Sequence, residues 1–351
     1  MPVSPSPIEV GLLGATGMVG QQFLRLLEAH PFFRVTRLAA SERSEGKRYC
    51  EATTWRLGGA VPPMIADAQV EPCAPDRWPR LVFSALDAAA AAEIEPAFAA
   101  AGHVVVSNAR SFRMEDDVPL LVPEINPGHL ALIEAQRRAR GWTGAIVTNP
   151  NCSTVVLAMV LAPLRRFGIS RVLTTTLQAV SGAGYPGVPS FDIVGNVIPG
   201  IGGEEDKIES EANKILGTLV GDRVEPHAAV VSAHTTRVPV IDGHTLTVSV
   251  AFDSAPSAAE ITEALASWRG RPQELRLPSA PERPIEVEAT AFRPQPRLDA
   301  SRGAGMAITV GRIRPCPVLG VKFVALGHNT IRGAAGAAIL NAELMLAEGM
   351  I

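Results

Sequence analysis

Cys152 sits in the stretch VTNPNCST, where a short apolar run, GAIV, meets Pro150 and a second run, VVLAMVLAPL, follows. The first run reads as a strand and the second as a buried helix, so the thiol falls where a helix begins. Helix starts carry unpaired N–H groups and a positive dipole potential. Both favour thiolate over thiol and lower the cysteine pKa. The same N–H groups suit the oxyanion formed when a carbonyl is attacked. The location is that of a nucleophile, although a cysteine at a helix start, taken alone, is more often structural, a small buried hydrophobe.

A nucleophile needs a base. His244 ends TRVPVIDGH, a strand followed by an Asp-Gly turn, and a turn beside a sheet aims an imidazole into a cleft. Arg237 lies seven residues earlier in the same segment. His30, His103, His129 and His227 sit beside Pro, Gly or loop signals, while His234 and His328 stay open beside His244, since spacing alone does not choose among the three. Anionic substrates need fixed cations. Arg113, in SNARSFRM, follows a strand end, and Lys207, in GGEEDKIE, lies three residues after Glu204 near a helix start, so the two share a face. From spacing alone, a surface i,i+3 ion pair is the favoured reading of Glu204 and Lys207.

GLLGATGMVGQ follows the first strand and opens the first helix, with Gly14, Gly17 and Gly20 in a GxxGxxG pattern. Glycines here tighten the turn and let the backbone approach a pyrophosphate whose charge faces the helix N-terminus. The strand–turn–helix context makes this a dinucleotide loop, with contacts expected from Gly14, Thr16, Gly17, Met18 and Val19. After the second strand an NAD-specific fold usually places an acid on the ribose 2′-hydroxyl. This chain has ASERSEGKR, with Ser41, Arg43 and Ser44 followed by Lys47 and Arg48. Hydroxyls and a guanidinium suit a 2′-phosphate, which predicts NADP; Glu42 is the residue that would serve a ribose instead.

The elements that must position these groups divide the chain in two. IEVGLLG, FRVTRLAA, RLVFSAL and HVVVSNA are strand-like and alternate with helical runs, including the Ala-rich DAAAAAEIEPAFAAAG closed by Gly102. This alternation predicts an α/β, Rossmann-like parallel sheet over residues 1–150. Beyond it, RVLTTTLQAV, AAVVSAHTTRVPV, HTLTVSVAF, PIEVEATAF and AITVGRI are Val- and Thr-rich strands, separated in places by EEDKIESEANKILG and SAAEITEALASWRG. They predict a second α+β domain over 151–328, built on a mixed or antiparallel sheet. The last run, AAGAAILNAELMLAEG, is a helix within 329–351 expected to return to the first domain.

The 351 residues are 47% apolar and 19% charged with net charge −3, which gives no basic excess for nucleic acid. The apolar runs are shorter than a membrane span, and MPVSPSPIEV lacks the regions of a signal peptide, its Pro/Ser tip reading as a frayed end. Cys50, Cys73, Cys152 and Cys316 form no CxxC pair, so neither a zinc site nor a disulfide framework is expected, and the compartment reads as a reducing cytoplasm.

GATGMVGQ, SNARSFRM, PNCST, QAVSGAGYPGV, EEDKIESE, RVPVIDGH and NTIRGAAGAAILNAE occur in this order. Together they resemble aspartate-β-semialdehyde dehydrogenase, in its archaeal and fungal-type branch, from about residue 8 to the C-terminus. The resemblance implies an NADPH-dependent reduction of L-aspartyl phosphate to aspartate semialdehyde with release of phosphate, toward lysine (through diaminopimelate), threonine and methionine. It implies that Cys152 is the nucleophile, His244 the acid/base and Gln178 the residue orienting a thioester. It places Arg237 on the substrate carboxylate, Glu204 near its amino group, and Arg113 and Lys207 on phosphate. Ser181, Gly182 and Asn329 match positions near the nicotinamide. Arg110 stands where the family more usually has a small residue, which leaves Arg110 and Arg113 as alternatives for the phosphate. The resemblance further implies a homodimer or homotetramer with the second-domain sheet at the interface. Malonyl-CoA reductase and N-acyl-glutamyl-phosphate reductase share the thioester logic and are the nearest rivals; a catalytically silent homologue and an NADP-binding thiol sensor are the rivals of other classes.

Overall fold

The computed structural model describes residues 6–351; most of the Pro/Ser tip expected to fray, residues 1–5, lies outside them. The described residues form two compact units, one of residues 6–121, 128–149 and 338–351, the other of 122–127 and 150–337.

The first unit holds a six-stranded sheet of β1 (Ile8–Leu13), β2 (Phe33–Ala39), β3 (Val70–Glu71), β4 (Leu81–Ser84), β5 (Val104–Ser107) and β6 (Ala145–Thr148). Their order is β3-β2-β1-β4-β5-β6 and every pairing is parallel. This is the doubly wound arrangement expected from the alternation of strand and helix. LVFS, VVVS and AIVT are buried at every position, because a parallel sheet covered on both faces has no solvent side to alternate toward. The Ala-rich helix Ala88–Ala100 starts at Asp87, whose carboxylate accepts from the N–H groups of Ala89 and Ala90, and it is closed at Gly102 in the left-handed region. In the segment 338–351, Glu343 meets His30 at 2.8 Å and Asn341 donates to the side-chain oxygen of Asn149 at 2.5 Å.

The second unit holds a seven-stranded mixed sheet and a two-stranded hairpin. The strands are β7 (Ile169–Gln178), β8 (Ile198–Pro199), the hairpin pair β9 (Thr218–Val220) and β10 (Arg223–Glu225), β11 (Val230–Arg237), β12 (His244–Phe252), β13 (Ile285–Glu288), β14 (Ile308–Pro315) and β15 (Val321–Gly327). The large sheet runs β13-β14-β15-β12-β7-β11-β8. Three helices, Cys152–Leu161, Glu204–Ile215 and Ala258–Ser267, pack on it. Along β7 and β11 alternate side chains stay exposed, among them Arg171, Leu173, Leu177, Val230, Ser232 and His234.

Register brings the functional ends together. β7 and β11 are parallel with Gln178 opposite Arg237, and antiparallel β12 begins at His244, with Thr245 opposite Leu177 and His244 opposite Gly327 at the end of β15. β15 is absent from the strands read from composition, since Lys322, Ala325, Leu326 and Gly327 dilute the β-branched signal. The terminal helix also begins later than the apolar run suggests: Ile331–Ala335 is a π-turn, and the α-helix starts at Gly336.

Candidate active site

Asn151 caps the helix Cys152–Leu161. Its Oδ1 accepts from the N–H groups of Ser153 and Thr154 at 2.9 and 3.1 Å. The expectation that the N–H groups of this helix start are there for an oxyanion is therefore corrected for these two, which the cap already engages. The rest of the Asn151 amide is tied as well: Nδ2 donates to Glu204 at 2.6 Å, and its backbone N–H donates to Glu211 at 2.6 Å. Two carboxylates thus hold the cap of the cysteine helix, and every residue from Ser153 to Leu161 is buried behind it.

The Cys152 sulfur lies 3.2 Å from Nε2 of His244. The other ring nitrogen, Nδ1, accepts from the backbone N–H of Ala179 at 3.1 Å. An N–H donor at Nδ1 requires a lone pair there, so the neutral ring carries its proton on Nε2 and points it at the sulfur. His244 is fully buried, and that burial, reinforced by the charges of Arg237 and His328, pushes its pKa down to about 3. The imidazole is neutral at ordinary pH and acts toward Cys152 as a hydrogen-bond donor.

Ala179 also fixes the arginine. Its carbonyl accepts from Nη1 of Arg237 at 2.8 Å, so the backbone of one residue orients both the imidazole and the guanidinium. Burial lowers the Arg237 pKa, opposed by the charges of Cys152 and Glu204. Gly182 leaves the space between these groups open: a Cβ there would stand 2.9 Å from Arg237 Nη1 and 3.1 Å from both Cε1 and Nε2 of His244. Asn329 donates to the Ser181 hydroxyl at 2.8 Å and accepts from the N–H of Gly243 at 2.9 Å, next to His244. Gln178 is buried at the end of β7, its Nε2 3.3 Å from the Thr176 hydroxyl. Lys207 pairs with Glu204 at 2.7 Å in a half-buried contact, so Glu204 bridges this lysine to the cap of the cysteine helix.

Cys152, Gln178, Ser181, Gly182, Glu204, Lys207, Arg237, His244 and Asn329 all belong to the second unit; Arg113 and the glycine-loop residues belong to the first. Arg113 is buried, with Nη2 donating to the Asn108 carbonyl at 2.8 Å, whereas Arg110 is exposed. Within the loop, Gly14 has φ +74°. A Cβ on Gly20 would meet the Gly14 carbonyl at 2.3 Å, so the helix packs on the turn only because that side chain is missing. At Gly17, by contrast, a Cβ would meet nothing closer than 3.5 Å, and no side chain caps the helix that begins at Met18. An approachable backbone at an uncapped helix start fits a dinucleotide pyrophosphate. Beyond β2, Ser44 is buried and Ser41, Glu42, Arg43 and Lys47 are exposed. Arg48 is spent on Glu51 and on Asp67 at 3.1 Å, while Arg43 has no ion-pair partner among the described residues.

Asn151, Glu211 and the Ala179 peptide are the parts of this site that reading by residue type missed. Asn151 is legible afterwards as an N-cap in front of an apolar run. Nothing local marks Ala179 or Glu211, which bear on this site through contacts with residues 58 or more positions away.

The family model described as semialdehyde dehydrogenase, NAD binding domain, matches residues 9–133, and that described as semialdehyde dehydrogenase, dimerisation domain, matches 161–332. An aspartate-semialdehyde dehydrogenase of Archaeoglobus fulgidus is 53% identical over 97% of this chain and 99% of its own. One from Cryptococcus neoformans is 48% identical over 99% of this chain and 100% of its own. The crystal structure of the Candida albicans aspartate semialdehyde dehydrogenase with NADP superposes with a TM-score of 0.91 at 43% identity, covering 99% of this chain and 100% of that one.

Proposed function

Because this chain belongs to the aspartate-semialdehyde dehydrogenase family, we propose that it reduces L-aspartyl 4-phosphate to L-aspartate 4-semialdehyde with release of phosphate, through a thioester on Cys152. The observation that carries this reading is the 3.2 Å approach of Nε2 of His244 to the Cys152 sulfur, with the Arg237 guanidinium held beside the gap that Gly182 leaves.

The Cys152 thiolate attacks the acyl carbon, the C–S bond forms, and the C–O bond to phosphate breaks with its electron pair leaving on phosphate. Arg237 holds the substrate carboxylate with its planar fork and Glu204 the amino group. Arg113 and Lys207 neutralise the phosphate, and Gln178 orients the acyl oxygen of the thioester. NADPH, when bound, supplies the hydride that reduces the thioester. As the resulting thiohemiacetal oxyanion collapses, its C=O bond re-forms, the C–S electron pair returns to sulfur, and the Nε2–H of His244 stabilises the departing thiolate.

NADP is held by Gly14, Thr16, Gly17, Met18 and Val19 along its pyrophosphate, by Ser41, Arg43 and Ser44 at the 2′-phosphate, and by Ser181, Gly182 and Asn329 near the nicotinamide. Residues 1–150 serve the cofactor, 151–328 serve catalysis and pairing of subunits, and the helix within 329–351 returns to the cofactor domain. The outer face of β7 and β11 suits a homodimer or homotetramer, and the enzyme works in the cytoplasm, toward lysine, threonine and methionine.

The test is phosphate-dependent reduction of NADP by aspartate semialdehyde, with NAD, glutamate-type semialdehydes and malonyl-CoA as comparisons. Cys152→Ser should abolish turnover and leave NADP affinity intact. A Cys152→Ser protein that retains most of its turnover would remove covalent catalysis from the account.

A further inference from the structure

Arg332 and Glu124 form an ion pair with both side chains fully buried. The pair is bidentate, Nη1 to Oε1 at 2.6 Å and Nη2 to Oε2 at 2.7 Å, and Nε of Arg332 has no partner among the described residues. Burying two charges costs more desolvation than an apolar pair of the same volume would, so tight packing alone does not account for the choice. What the fork adds is direction: two parallel bonds fix how residue 332 is turned about its backbone.

That orientation is transmitted to the nucleophile. Arg332 lies in the π-turn Ile331–Ala335, whose wide bonds run from Gly333 N–H to the His328 carbonyl at 2.9 Å and from Ala335 N–H to the Thr330 carbonyl at 3.2 Å. Nη2 of Arg332 rests 3.1 Å from the Met159 sulfur, two turns along the cysteine helix from Cys152 and on the same face. The next residue, Gly333, meets the start of that helix: a Cβ there would stand 2.7 Å from Cβ and 3.1 Å from Cα of Cys152. The backbone of Gly333 is not in the left-handed region, so the missing side chain answers to this contact and not to φ. The turn enters from Asn329, whose amide is bonded to Ser181 and to Gly243 beside His244.

We infer that the buried Arg332–Glu124 pair is a positioning device which holds the π-turn in the register that sets Gly333 against Cys152, and so keeps the sulfur at its distance from His244. Arg332, Glu124 and Gly333 are positioning residues; none of them touches the reacting carbon. The inference rests on Cys152 being the nucleophile. Wide π-turns recur at functional sites because they re-aim a helix without breaking it. Here the turn lets a small residue reach the cysteine while its neighbour reaches the anchor.

The experiment compares four full-length proteins: Gly333→Ala, the paired apolar replacement Glu124→Leu with Arg332→Met, Cys152→Ser, and the parent. Readouts are kcat, KM, NADP affinity, the thermal midpoint, and the rate and pH midpoint of Cys152 alkylation by iodoacetamide. Gly333→Ala leaves the ion pair intact and should lower kcat at least tenfold, with a shifted alkylation profile, unchanged NADP affinity and a folded protein. The paired replacement should remain folded and show the same kcat loss and the same shift. If Gly333→Ala keeps the parent's kcat and alkylation profile while Cys152→Ser is inactive, the positioning inference is wrong and the nucleophile assignment stands. If Cys152→Ser stays active, the nucleophile assignment itself fails. A paired replacement that folds and keeps the parent's kcat and alkylation profile overturns the inference; should it not fold, Glu124→Gln, which keeps the shape and removes the charge, takes its place with the same readouts.

Discussion

Replacing His244 by Asn separates the charge of the imidazole from its hydrogen bond. The side-chain oxygen of Asn can take the place of Nδ1 as acceptor for the Ala179 N–H, and it does not titrate in the accessible range. In the parent protein, burial first, then the charges of Arg237 and His328, depresses the His244 pKa from 6.5 to about 3. A base with a depressed folded pKa binds fewer protons in the native state than in the unfolded chain between those two values. Stability from this residue is therefore complete above pH 6.5 and declines as pH falls toward 3. At pH 5 the penalty is about 2 kcal/mol, and at pH 3 it approaches roughly 5 kcal/mol, taking about 1.4 kcal/mol per unit of separation. Urea unfolding of the parent and of His244→Asn at pH 7, 6 and 5, at constant ionic strength, isolates this contribution, because all carboxylates are common to both proteins. The parent should lose about 2 kcal/mol more than the variant between pH 7 and pH 5. Parallel stability curves over that range would refute both the neutral buried imidazole and the Nε2–H tautomer that depends on it.

Gly182→Ala places a methyl 2.9 Å from Arg237 Nη1 and 3.1 Å from the imidazole. Steady-state kinetics should show kcat/KM reduced roughly tenfold to a hundredfold by displacement of these groups, with the thermal midpoint preserved. Asn151→Ala removes a cap worth about 1 kcal/mol and a charge-assisted bond to Glu204 worth about 1.5–3 kcal/mol, so denaturant unfolding should register a loss of about 2–4 kcal/mol. A loss within 0.5 kcal/mol would show that water replaces the amide at no cost. Arg43→Ala should raise the KM for NADP by about ten- to a hundredfold while leaving that for NAD unchanged, since a 2′-phosphate contact exists only with the former. Equal effects on the two cofactors would transfer the 2′-phosphate assignment away from Arg43.

What the chain declares locally is the kind of each element and the chemistry it carries. Alternating apolar strands and helices, a glycine turn that opens the first helix, and a thiol where an apolar run becomes helical are short-range patterns, and each takes its expected form in the structure. Tertiary structure alone decided which groups meet. Among His234, His244 and His328, composition does not choose. Pairing of β12 with β7 and β15 puts His244 at the sheet end facing Cys152, while β11 leaves His234 exposed on the outer face. The ring tautomer depends on a peptide at Ala179, and the cap of the cysteine helix depends on Glu204 and Glu211. These contacts join residues 53 to 65 positions apart. Periodicity records only whether a side chain faces the core, and register between distant strands, which selects its neighbour there, is settled by the packing of the whole sheet.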